Sequence, residues 1–156
     1  RGRQRVICLA GDGSLMMNLQ ELQTLVGYHL PVKVIVLNNN GYHSIRQTQA
    51  TYFQDNMFGI DPSNGVSLPD FVAVARALGL PARRVESAED WQAGETEALL
   101  AAPGPALIEV VVDPDQPFSP KLASRILPDG SMSTPALEDM SPFLDRDELA
   151  ANRLSD

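Results

Sequence analysis

The sequence has one cysteine, Cys8, in 156 residues. A single thiol excludes an internal disulfide framework and any cysteine-based zinc site. No apolar run approaches the roughly 18 residues that would span a bilayer, so no membrane partner is expected. The start, Arg1-Gly2-Arg3-Gln4-Arg5, shows no signal-peptide pattern and runs straight into the apolar stretch Val6 to Ala10. The chain therefore reads as cytoplasmic. Positive charge is scarce, with 12 basic against 20 acidic residues and a net charge of −8. Nucleic-acid binding needs a basic surface, so nucleic acid is not an expected partner. There are no internal repeats and no low-complexity segments.

What is present suits one soluble domain: 44% hydrophobic and 21% charged residues in a length that can bury a core. The acidity is uneven. Residues 1–112 carry 11 acidic and eight basic groups, and residues 113–156 carry nine and four. Six of the 12 prolines also lie after residue 112. Residues 113–156 read as a Pro-rich acidic tail packed on residues 1–112. The sequence begins with Arg, almost inside a strand, which suggests a piece of a longer protein.

Residues 6–10 (VICLA) read as a buried strand running into a Gly11-Asp12-Gly13 turn. Asn18 reads as an N-cap, with Glu21 completing a capping box, for a helix that buries Leu19, Leu22, Leu25 and Val26. The β-branched run 32–37 (VKVIVL) is a second strand, ending at Asn38-Asn39-Asn40-Gly41. Strand, helix, strand of this length is a βαβ unit with parallel strands. Tyr42 to Phe58 reads as a helix and then a loop, and Asp61-Pro62-Ser63-Asn64-Gly65 as loop. A helix from about 70 to 78 shows Phe71, Val74, Ala75 and Leu78 on one face. Residues 82–86 could form a short strand. One helix from Ser87 to about Ala101 follows, anchored by Trp91 and Leu99. Residues 105–112 (PALIEVVV) form a third strong strand, and a last helix is expected near 145–154. The fold class is α/β: an open, mostly parallel sheet with helices on both faces, in three layers.

In such sheets ligands sit beyond the carboxyl ends of the strands. Asp12 and Asn39 stand at two such ends, 27 residues apart (39 − 12). Asp12 offers a carboxylate, Asn39 an amide oxygen and Gly41 an unobstructed carbonyl. All three are hard oxygen donors of the kind Mg²⁺ takes, with water and phosphate completing the shell. Gly13 and Ser14 offer N–H groups and a hydroxyl to an anion, near the positive end of a helix. The set suits a diphosphate clamped by a divalent metal. Gly-Asp-Gly alone is also a common turn. The other phosphate loops, Gly-x-x-x-x-Gly-Lys-Ser/Thr and Gly-x-Gly-x-x-Gly after a strand, are absent.

The stretch GDGSLMMNLQELQTLVGYHLPVKVIVLNNNGY resembles the thiamine diphosphate signature of the pyruvate decarboxylase and acetolactate synthase superfamily, in its acetolactate synthase-like form. The resemblance covers residues 5–55 clearly and extends over 70–112. It implies that Asp12, Asn39 and the Gly41 carbonyl ligate Mg²⁺. It implies that Gly11, Gly13, Ser14 and Tyr42 belong to the cofactor site with them. It further implies that residues 1–112 are part of the diphosphate-binding (PP) domain, the C-terminal third of a longer chain. The glutamate that activates the cofactor would then lie in another domain, supplied by a partner subunit, and this chain alone would be inactive. The implied partners are a 2-oxoacid and a carbonyl acceptor, within a homodimer or homotetramer. Some relatives hold FAD in a middle domain.

One departure bears on the reaction. Simple decarboxylases of this type usually carry a glutamate four residues after the motif glycine, used in proton transfer. Here that position is Ile45. An apolar wall delivers no proton to a carbanion, which favours ligation to a second carbonyl. The run from Tyr42 to Gln49 differs from the true synthases, so substrate choice stays open. A decarboxylase or lyase of the same superfamily, or a non-catalytic module with the same fold, are the alternatives. His43 could reach a substrate or be a solvated loop histidine. Arg46 could bind an anionic substrate or sit in an ion pair. Tyr42 could border the cofactor or pack at the strand edge. Cys8, within an apolar strand, reads as inert.

Overall fold

The computed structural model describes residues 4–53, 56–122 and 124–153. These form two compact units, up to Asp115 and from Gln116 onward.

The first unit is built on a four-stranded parallel sheet. Its strands are β1 (Val6–Gly11), β2 (Val32–Asn38), β3 (Ala82–Val85) and β4 (Ala106–Val111), in the order β1-β2-β4-β3. Alternation sorts the side chains to two faces. Val34, Val36 and Leu107 join a core with Leu15, Leu22, Phe71, Val72 and Ala75. These come from helices α1 (Asp12–Met16), α2 (Glu21–Gly27) and α4 (Phe71–Ala77). On the other face Lys33 sends its ammonium to the carbonyls of Ala102 (2.8 Å) and Gly104 (2.9 Å). Burial, helped by Arg5, pushes that amine below the usual lysine range. Helices α5 (Ala88–Gln92) and α6 (Gly94–Ala101) belong to this side, where Arg83 pairs with Glu95. Helices cover both faces, and the α/β class is the one expected.

Four local expectations are corrected. β1 is not a buried strand. Val6, Ile7 and Leu9 are 53%, 58% and 68% exposed, and Cys8 is exposed with them. An apolar run tells what a strand is made to bury, not what lies against it in this chain. Gly11-Asp12-Gly13 is not a loose turn, because α1 starts at Asp12 directly after the strand. The helix after it has no Asn18 cap. α2 follows Gln20, whose backbone is already helical (φ −63°, ψ −24°), and no side chain caps it. The Asn18 carbonyl instead accepts the Glu21 N–H at 2.9 Å. The helix expected over 87–101 breaks at Ala93 (ψ 135°). Thr96 takes the buried place, its hydroxyl donating to the Asp90 carbonyl at 3.1 Å, while Trp91 stays 40% exposed.

The second unit holds a short two-stranded hairpin and a helix. β5 (Arg125–Ile126) pairs antiparallel with β6 (Met132–Ser133) across a turn closed by Gly130 at φ 82°. Helix α7 (Arg146–Asn152) is capped by Asp145, which accepts from the Asp147 N–H at 2.9 Å. Leu154, the expected end of that helix, lies outside the described residues.

Candidate functional site

The site forms where β1 and β2 end side by side, with Gly11 in register with Leu37. Gly11 is extended (φ −71°, ψ 157°) and precedes α1. Asp12 follows it and is only 2% exposed. One carboxylate oxygen accepts the Gly13 N–H at 2.6 Å, and the other accepts the Gly41 N–H at 2.9 Å. Each oxygen has capacity for a further bond. A buried carboxylate held by backbone donors alone suits a cation nearby.

The chain leaves β2 through a turn that few sequences could make. Asn40 is left-handed at φ 61°, and Gly41 lies at φ 147°. A side chain on Gly41 would collide with the Ile60 carbonyl. That carbonyl accepts the Tyr42 N–H at 2.8 Å. Ile60 is in turn fixed by Asn64, whose side-chain oxygen accepts the N–H groups of Ile60 (2.7 Å) and Asp61 (3.0 Å). The Asp61–Gly65 stretch therefore braces the motif. It holds a 3-10 turn, Pro62–Asn64, with a reciprocal cap between Asp61 and Asn64. The Ser63 hydroxyl, with help from Arg46, holds the Asp61 carboxyl below the usual range.

Asn39 is the position that asks for a ligand. Its Oδ1 is buried and accepts no hydrogen bond from the protein. A buried acceptor left unsatisfied costs about 1–3 kcal/mol. Among the described residues no group of three or more His, Cys, Asp and Glu side chains could hold a metal. One carboxylate, one amide oxygen and one carbonyl make a sparse oxygen set. That set fits Mg²⁺ sharing its shell with phosphate and water.

Gly13 serves the site through its lack of a side chain. Its N–H is already taken by Asp12. A Cβ there would fall within the ring of Tyr42, so Gly13 is the surface on which that ring packs. Ser14 is exposed in the first turn of α1.

Helix α3 (His43–Tyr52) starts directly after Tyr42. His43 is its first residue and is buried, not in a solvated loop, with its Nε2 3.0 Å from the Gln47 amide nitrogen. Ile45 is 43% exposed on the same helix. Arg46 is committed to the protein. Its guanidinium pairs with Asp61 at 3.1 Å and donates to the Pro114 carbonyl at 2.8 Å.

Sequence reasoning missed two contributors. One is the Ile60–Asn64 brace, legible only as a loop. The other is Glu109, an acid within the apolar run 106–111, which accepts from the Asn38 amide at 2.6 Å. A charge in a strand of Ala, Leu, Ile and Val was the available signal.

A parallel α/β sheet with an acidic, glycine-rich first strand end and an asparagine turn at the next defines a cofactor-binding domain of the diphosphate class. The sequence model of one family, described as "Thiamine pyrophosphate enzyme, C-terminal TPP binding domain", matches residues 1–110. The chain belongs to that family; thiamine pyrophosphate is thiamine diphosphate under its other name. It is 38% identical over 109 residues to the acetolactate synthase large subunit of Parasynechococcus marenigrum (strain WH8102), covering 70% of this chain and 17% of that protein. It is 30% identical over 141 residues to the acetolactate synthase isozyme 2 large subunit of Escherichia coli (strain K12), covering 90% and 24%. A solved Rhodococcus jostii RHA1 thiamine diphosphate-dependent 4-hydroxybenzoylformate decarboxylase superposes with a TM-score of 0.62 at 35% identity. The match covers 72% of this chain and 20% of that one. The chain thus spans about a fifth of the length of the relatives it matches. Among the described residues no helix is long and apolar enough to cross a membrane.

Proposed function

We propose that the chain holds the diphosphate end of thiamine diphosphate through Mg²⁺, with Asp12, the Asn39 side-chain oxygen and the Gly41 carbonyl as ligands. The observation that carries this reading is the buried, unsatisfied Asn39 Oδ1, two residues from the Gly41 N–H that the buried Asp12 accepts. Gly11, Gly13, Ser14 and Tyr42 shape the rest of the site. Bound thiamine diphosphate supplies the carbanion chemistry, and this chain's residues position it. Calorimetry on the full-length protein tests the assignment. Thiamine diphosphate should bind only with Mg²⁺, and Asp12→Ala should abolish that Mg²⁺-dependent binding. No Mg²⁺-dependent binding would instead leave a non-catalytic module.

For the whole protein we propose decarboxylation of a 2-oxoacid followed by ligation to a second carbonyl compound. The apolar Ile45 and the likeness to acetolactate synthases support it. The likeness to the solved decarboxylase favours a second reading, decarboxylation with release of the aldehyde. Product analysis with pyruvate separates the two, because acetaldehyde without acetolactate overturns ligation. We also read the full protein as a cytoplasmic homodimer or homotetramer that includes further domains. The exposed Val6, Ile7 and Leu9 of β1 support a covering partner or domain. The 156-residue chain alone should show no turnover.

A further inference from the structure

Glu109 sits on β4, 1% exposed, and its two carboxylate oxygens face two donors. Oε1 accepts from the Asn38 amide at 2.6 Å, and Oε2 accepts from Arg84 Nε at 2.9 Å. Arg84 lies in register with Glu109 on the neighbouring strand β3, and Asn38 lies diagonally across on β2. Asn38 has a second contact: its Oδ1 accepts the Asn40 N–H at 2.9 Å. A carboxylate can only accept and a backbone N–H can only donate, so the Asn38 amide has one orientation. That orientation closes the turn in which Asn40 is left-handed and on which Asn39 and Gly41 are mounted.

We infer that Glu109 is a positioning residue for the metal-binding turn, acting through Asn38. This rests on the assignment of Asn39 and Gly41 as ligands. Glu109 sets the Asn38 amide, Asn38 sets Asn40, and the Asn39 oxygen is thereby held in place without a protein donor. Residues behind metal ligands commonly change metal affinity by about 10–100-fold when altered.

The arrangement predicts a rescue that a simple stabilising ion pair would not give. In Glu109→Gln the residue has one acceptor and one donor end between two donors. Either Arg84 or Asn38 then meets an N–H, and satisfying Arg84 flips the Asn38 amide against the Asn40 N–H. Removing the competing donor with Arg84→Met frees the glutamine oxygen for Asn38.

The test is titration of the full-length protein with Mn²⁺ at saturating thiamine diphosphate, read by electron paramagnetic resonance. Glu109→Gln should weaken Mn²⁺ binding at least about tenfold. Arg84→Met alone, and the Arg84→Met/Glu109→Gln pair, should stay within about threefold of the parent, whatever their thermal stability. Asn39→Ala is the reference. If it binds Mn²⁺ like the parent, the metal assignment fails and this inference with it. If it weakens binding while Glu109→Gln does not, only the role of Glu109 is overturned. A double variant as weak as Glu109→Gln, or a tenfold loss from Arg84→Met alone, overturns it as well. Should Glu109→Gln not fold, Arg84→Met/Glu109→Gln must bind Mn²⁺ at least about tenfold more tightly than Arg84→Met/Glu109→Leu. Equal binding by that pair refutes the proposal.

Discussion

Asp12 and Gly41 stand 29 residues apart in the chain and share one hydrogen bond, Gly41 N–H to Asp12 Oδ2, at 2.9 Å. That bond ties the end of β1 to the turn after β2, so a proposed metal ligand is also a structural tie.

Asp12→Ala should therefore destabilise the protein even without metal or cofactor. It strands the N–H groups of Gly13 and Gly41, both buried. Hydrogen bonds to a charged acceptor contribute about 1.5–3 kcal/mol each, so a loss of about 3 kcal/mol is expected. Urea unfolding in EDTA measures it. A change below about 1 kcal/mol would mean that the tie carries no stability.

Gly13→Ala should cost about 1–3 kcal/mol, because the new methyl meets the Tyr42 ring. Gly13 lies in α1, where alanine is otherwise the better helix former. The cost should vanish or reverse in a Tyr42→Ala background. A double-mutant cycle reads the coupling, and additive effects would show that the ring is not what Gly13 accommodates.

Gly41→Ala should be worse, about 3 kcal/mol or more, and no side-chain deletion should relieve it. The obstacle is the Ile60 carbonyl, and the backbone sits at φ 147°. Tyr42→Ala combined with Gly41→Ala should be no more stable than Gly41→Ala alone. Thermal unfolding of the pair decides this.

Asp70 gives a pH prediction. Its carboxyl accepts the Ala73 N–H at 2.9 Å as the cap of α4 and pairs with Arg84 at 3.2 Å. The Ala73 N–H first, and then Arg84, hold its pKa below the usual range. A depressed carboxylate contributes stability above its unfolded pKa of about 4, and that contribution fades as pH falls through the lower folded value. Asp70→Ala should thus cost about 1 kcal/mol at pH 7. The difference from the parent should shrink steadily below about pH 4. A difference constant from pH 7 to about pH 2 would refute the assignment.

Much of the frame was readable from residue order. VICLA, VKVIVL and PALIEVVV announced three strands, because β-branched and apolar runs of that length suit a pleated sheet. Phe71 and Ala75, four apart, marked the buried face of α4, and both are fully buried. The Gly-Asp-Gly and Asn-Asn-Asn-Gly segments marked the strand ends that the structure joins. Local rules failed where a distant group decided the outcome. Asn18 looked like a cap, yet the helical path arrives already wound through Gln20. Arg46 was readable either as a substrate anchor or as half of an ion pair, and Asp61 with the Pro114 carbonyl decides for the ion pair. Glu109 drew no reading of its own within the apolar run, because its role rests on Asn38 and Arg84, which meet it from two neighbouring strands.

Residue order alone settles the kind of chemistry on offer: the Asp12 carboxylate, the Asn39 amide and three glycines at adjoining strand ends, with a single thiol and 12 basic against 20 acidic residues. Residue type and period suffice for that, because donor chemistry and strand pattern are local properties. Which of those groups is engaged and which is left over is set by folding. The Gly13 N–H is satisfied within the chain, whereas the Asn39 oxygen is buried and unmet. Hydrogen-bond satisfaction depends on what folding brings within about 3 Å, and no local pattern records that.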